Sequence, residues 1–115
     1  MVSPSYVPDR GDVVWVDHDP QAGHKQAGHR PALVLSPKVY NQATGLMLCC
    51  SMTNQAKGYP FEVPVVSKPP STGVILADQI HCFDWAERGA KFHAKAASDV
   101  VLDVTAKIKP LLGIK

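Results

Sequence analysis

Three histidines, His18, His24 and His29, share one short stretch of the chain with Asp17 and Asp19, and Arg30 follows directly. Imidazole and carboxylate ligate metals, and imidazole also exchanges protons near neutral pH, so the stretch could hold a cation or run acid–base chemistry. Structural zinc sites draw ligands from tightly spaced pairs. These histidines stand five or six residues apart among glycines, which argues against metal. For proton transfer His29 is better placed than His18 or His24, and the alternative for all three is a solvated polar loop. Arg30 is the sharper signal. Pro31 restricts it to extended backbone, which fixes the direction of its side chain, and a guanidinium so held suits a phosphate through paired donors. Its alternative is an ordinary surface pairing with Asp17 or Asp19, and spacing alone leaves both open. Ser51-Met52-Thr53-Asn54-Gln55 places hydroxyl and amide groups in quick succession; as residues they read best as turn chemistry. Residues 88–95 are basic with one aromatic, Phe92. They could track a phosphate backbone while Phe92 stacks a base, although a charge run is more often a solvated face. No GxSxG, Walker A or HExxH pattern is present.

These residues need elements to position them. Gly11-Asp12 signals a turn, and residues 13–17 read as a strand rich in β-branched and aromatic side chains. Residues 18–30 form a polar loop with a short duplication, QAGHK then QAGHR. Loops of this length inside a compact domain are uncommon unless functional or mobile. Residues 31–36 make a second strand. A single helical turn follows, with Ser36 as cap and Pro37 at its first position, and Asn41 to Gly45 turns the chain. Residues 46–51 are continuously apolar, as expected of a strand buried on both faces. Asn54 to Pro60 is a loop carrying Lys57. Residues 61–66 form a strand that Pro64 confines to an edge or bulge. Residues 68–73 form a turn-rich connection, and residues 74–77 and 80–83 read as two short strands around Asp78-Gln79. A helix starts at Ser98-Asp99, buries Val101, Val104, Ile108 and Leu111 at helical spacing, and stops near Lys109 before Pro110. Five to seven short strands closed by one amphipathic C-terminal helix predict a mainly β fold with α: a small, strongly bent, SH3-like barrel.

Composition sets wide bounds on function. The 115 residues suffice for one domain, 1–115, and 45% apolar content can build a core. A net charge of +2 permits RNA binding without demonstrating it. Cys49, Cys50 and Cys82 are odd in number and lack CxxC spacing, so they read as buried or free thiols of a reducing compartment. No secretory leader is evident, and no apolar run approaches the roughly 20 residues that span a bilayer. The expectation is a soluble cytoplasmic protein with no membrane association.

Residues 7–17 (VPDRGDVVWVD), 26–36 (QAGHRPALVLS), 53–63 (TNQAKGYPFEV) and 73–79 (GVILADQ), together with Tyr40-Asn41, resemble the MazF/PemK toxin family in order and spacing. The resemblance runs from about Tyr6 through the terminal helix. It implies a homodimer of SH3-like barrels paired in the cell with a cognate MazE-like antitoxin. It also implies metal-independent cleavage of single-stranded RNA such as mRNA, without a cofactor, to a 2′,3′-cyclic phosphate and a 5′-hydroxyl, which arrests translation and growth. Arg30 matches the family's catalytic arginine and Thr53 its catalytic threonine, with His29 a secondary candidate for proton transfer. His29 and Arg30 are neighbours on an extended strand and should point to opposite faces. The segments carrying the resemblance, with the adjoining loop, supply the candidate substrate-binding residues Asp17, Lys25, Asn41, Gln55, Lys57 and Gln79. Lys25 departs from the pattern, since an acidic residue often stands there. Two rival functions share the fold: a non-catalytic toxin that poisons a protein target such as gyrase, and a plain RNA-binding module. An exposed tryptophan near the C-terminus would favour the poison, and the last residues contain none.

Overall fold

The structure is a computed structural model that describes residues 6–17, 29–65 and 73–115. Its elements are β1 (Asp12–Asp17), β2 (His29–Val34), α1 (Lys38–Thr44), β3 (Leu46–Thr53), β4 (Glu62–Val65), β5 (Gly73–Asp84), β6 (Lys91–Lys95) and α2 (Ser98–Leu111). The strands form one curled antiparallel sheet, a half-barrel, in the order β4-β5-β3-β2-β1-β6. The mainly β architecture with a terminal helix is thus the one expected. β4 lies at an edge, where Pro64 removes no ladder bond the sheet needs.

Strand alternation sorts the apolar side chains onto two faces. Val13, Leu33, Cys50, Met52 and Ile75 build one core, which Val101, Val104 and Ile108 of α2 complete. The three-and-four spacing of those helix residues places them on a single stripe. Val14, Val16, Ala32, Val34, Met47, Cys49 and Phe83 build a second core on the other face, closed by Trp85 and the chain around Tyr6 and Val7. Cys49 and Cys50 are therefore packing residues. Burial pushes both thiols up to about 12, so neither supplies a thiolate near neutral pH.

Several local expectations are revised. Pro37 is the N-cap of α1 and Ser36 does not cap it: the Ser36 hydroxyl donates to Asn41 Oδ1 at 2.6 Å and accepts from the Leu48 amide at 2.9 Å. The expected single turn is a seven-residue helix ending at Gly45, whose φ of 77° closes it in the left-handed conformation. Residues 74–77 and 80–83 belong to one strand, β5, whose pairing to β3 shifts from Cys50↔Ile80 to Met52↔Ile75. The extra residues around Asp78-Gln79 bend the strand without ending it. Residues 91–95, part of the basic stretch 88–95 read as a solvated face, are largely exposed but form the edge strand β6 against β1. α2 begins after Ala97, without a side-chain cap, and carries Pro110 in its last turn; Leu111 is exposed and outside the apolar stripe. Met47, Cys49, Cys50, Ser51 and Met52 of β3 are buried, on both faces of the sheet, while Leu48 is 39% exposed. Among the described residues no helix is long and apolar enough to cross a membrane.

Candidate active site

Where β1, β2 and β3 end together, a cleft of about 540 Å³ opens, lined by Trp15, His29, Arg30, Met52, Thr53, Asn54, Gln55, Gly73 and His93 with Val13 and Pro31. The sheet register explains the convergence. Ala32 pairs with Ser51, and extending that antiparallel register by two residues sets Arg30 opposite Thr53. Arg30 is exposed at the start of β2 and pairs with Val16. Thr53 is half-buried at the end of β3, and its Oγ1 accepts the Gln55 amide at 3.2 Å. The turn reading of Thr53 therefore holds. A hydroxyl that accepts from the backbone keeps its own O–H as a donor, and the turn fixes the oxygen from which that donor leaves.

Gly73, which sequence reasoning did not single out, sets the wall behind Thr53. A Cβ there would lie 2.8 Å from the Thr53 carbonyl oxygen, so only glycine lets β5 approach. Gly73→Ala is expected to destabilise the protein by about 2 kcal/mol, as steric overpacking does, and to lower any activity that depends on Thr53. Chemical denaturation alongside a kinetic assay checks both effects.

His29 and Arg30 obey the alternation of an extended strand. His29 lies parallel to the Trp15 indole, with ring centroids 5.5 Å apart and an interplanar angle of 3°. Arg30 sits on the opposite side of the strand, beside Val16. Both border the cleft because it wraps the strand end. Of the other described candidates, Gln55 lines the cleft and Asp17, Asn41, Lys57 and Gln79 do not. Asp17 ends β1, and its carbonyl accepts from the Arg88 guanidinium at 3.0 Å. Lys57 is exposed on a loop held by Glu62, whose carboxylate accepts the Lys57 and Gly58 amides at 2.9 and 3.0 Å. Gln79 is exposed at the bend of β5. Lys25, with His18 and His24, lies outside the described residues.

Asn41 is a correction. It is fully buried, donating to the Pro8 and Ser36 carbonyls at 2.7 and 3.1 Å and accepting from Ser36, so it knits the N-terminal segment to α1 and cannot meet a substrate. Phe92, offered as a base-stacking alternative, packs its ring edge-on against Tyr6 at 5.8 Å and does not line the cleft. A serine–histidine pair that sequence reasoning missed joins Ser51 Oγ to His81 Nε2 at 2.9 Å. Burial, followed by the nearby Arg88 charge, holds the His81 imidazole below its ordinary range and therefore neutral. Ser51 is only 6% exposed, which keeps its hydroxyl from attacking anything bound outside. Among the described residues no cluster of ligand side chains could hold a metal ion.

A curled six-stranded sheet with a terminal helix has clear counterparts among solved structures. The crystal structure of MazF (form I) from Deinococcus radiodurans superposes with a TM-score of 0.87 at 51% identity, covering 96% of this chain and 100% of that one. A MazE–MazF complex (form II) from the same organism gives 0.85 at 45% identity, again covering 96% and 100%. The endoribonuclease toxin MazF of Escherichia coli (strain K12) is 52% identical over 113 residues, 98% of this chain and 100% of that protein. Residues 9–112 match the model for the PemK-like, MazF-like toxin of type II toxin-antitoxin systems, and the chain belongs to that family.

Proposed function

We propose that the cleft at the ends of β1, β2 and β3 cuts single-stranded RNA without metal, and that this activity makes the protein the endoribonuclease toxin of a toxin–antitoxin pair. The observation that carries this reading is the meeting of Arg30 and Thr53 across adjacent strands on one open cleft. The RNA 2′-hydroxyl attacks the adjacent phosphorus in line. A bond forms from the 2′-oxygen to phosphorus as the bond to the 5′-oxygen breaks, and negative charge grows on the equatorial oxygens. The Arg30 guanidinium neutralises that charge and the Thr53 hydroxyl donates to it, both from positions fixed before substrate arrives. The 2′-proton leaves and the 5′-oxygen gains one, giving a 2′,3′-cyclic phosphate and a 5′-hydroxyl. A guanidinium with a pKa above about 12 is a poor proton carrier, so Arg30 acts through its charge. His29 is the nearer imidazole for proton transfer, although its ring is stacked on Trp15.

In this reading cleavage of mRNA in the cytoplasm stops translation, and a MazE-like antitoxin restrains it. The related endoribonuclease toxin MazF of Escherichia coli and the MazE–MazF complex of Deinococcus radiodurans support the nuclease over the protein-poison alternative. The homodimer belongs to the same reading, and the exposed apolar residues Leu48 and Ile80, which share one sheet face on the paired strands β3 and β5, support it. Thr53 supplies the sharpest test of the hydroxyl's role. Thr53→Val keeps the shape and removes the donor, so kcat should fall about 100-fold, whereas Thr53→Ser should retain most activity. Full activity in Thr53→Val would sink the proposed donor.

A further inference from the structure

One more side chain reaches the cleft, from the far edge of the sheet. On β6, Ala94 pairs with Val13 and Phe92 with Val14, so two steps along β6 match one step along β1 and His93 is the extra residue between them. A bulge of this kind breaks strand alternation and re-aims a side chain. Here Phe92 turns to Tyr6, Ala94 packs against the core that holds α2, and His93 turns onto the cleft wall. Its ring stands edge-on to Trp15, with centroids 5.7 Å apart and an interplanar angle of 73°. Trp15 in turn lies parallel to His29. The parallel pair forms a floor and His93 an upright wall, beside the pairing of Arg30 with Thr53.

We propose that His93 is a specificity-determining residue that reads the edge of an unpaired nucleobase flanking the scissile phosphate. The inference rests on the reading of this cleft as the RNA site and adds to it the residue that chooses among bases. A base continuing the Trp15–His29 stack binds through its π-face, which every base has, so the floor supplies affinity without choice. Its hydrogen-bonding edge then points sideways. An imidazole carries ring nitrogens that donate or accept at its edge, and the four bases differ in what they offer to such a group. Sequence choice at that nucleotide is thereby carried by an edge strand apart from β2 and β3, which hold Arg30 and Thr53.

The test maps cut sites in an RNA pool randomised around the cleavage position, using wild type, His93→Ala, His93→Gln and Arg30→Ala. His93→Ala should lower cleavage of the preferred motif about tenfold, to the level of motifs differing at one flanking nucleotide, leaving preferences elsewhere intact. His93→Gln, which keeps a donor and an acceptor, should retain a preference at that nucleotide. An unchanged cut-site profile in His93→Ala overturns the inference. So does a uniform loss over all motifs with a lowered Tm, which would mark His93 as a packing residue. Arg30→Ala separates the two levels: if it still cuts, the cleft reading itself fails. If it is inactive while the His93→Ala profile matches wild type, only the role of His93 fails.

Discussion

Arg30→Ala is expected to lower RNA cleavage about a thousandfold while leaving Tm unchanged. Removing one preorganised donor from a developing oxyanion costs about 10²–10³ in rate, and a guanidinium adds a full charge to its donors. Stability should not follow, because Arg30 is exposed at the first turn of chain into β2 and contributes to neither core. Arg30→Lys should recover only part of the activity, since an ammonium keeps the charge but loses the planar pair of donors. Single-turnover kinetics on a short RNA oligonucleotide, run beside thermal unfolding, checks both halves. A folded Arg30→Ala protein cutting at the wild-type rate would contradict the mechanism.

Asn41→Ala should do the reverse and act on stability. The side chain is fully buried and makes three hydrogen bonds, so truncation strands the Pro8 and Ser36 carbonyls and the Ser36 hydroxyl in the interior. At about 1 kcal/mol for each lost bond the cost is about 3 kcal/mol, lowering Tm by roughly 10–20 °C. Asn41→Asp should be no milder despite its shape, because it replaces the amide donor facing both carbonyls with an acceptor or a charge. Thermal unfolding measures this directly. If Tm holds and RNA binding falls, Asn41 belongs to the substrate surface after all.

The residues differed in how much they disclosed. Arg30 was legible because Pro31 fixes its backbone, a constraint written in one dipeptide. Thr53 was not legible from its neighbours alone: its oxygen does close a turn, and only the register of β2 against β3, extended by two residues, sets the same residue opposite an arginine. The family resemblance supplied that pairing before the strands did. Asn41 misled because an amide looks alike on a surface and in a core, and its burial depends on Pro8 and Ser36 folding around it. The C-terminal helix was readable from Val101, Val104 and Ile108, a periodicity that needs no partner. β6 was hidden because an edge strand with two lysines and a histidine keeps little apolar alternation, and its bulge disrupts what remains. The length of β5 was hidden likewise, since a shift in register bends a strand at residues that read as a turn.

The most direct test of the central claim is incubation of the protein with long single-stranded RNA in excess EDTA, followed by chemical mapping of the new ends. Wild type should yield discrete fragments with 2′,3′-cyclic phosphate and 5′-hydroxyl termini, and Arg30→Ala should yield none. Intact RNA with the wild-type protein, or cutting that returns only when a divalent metal is added, would contradict it.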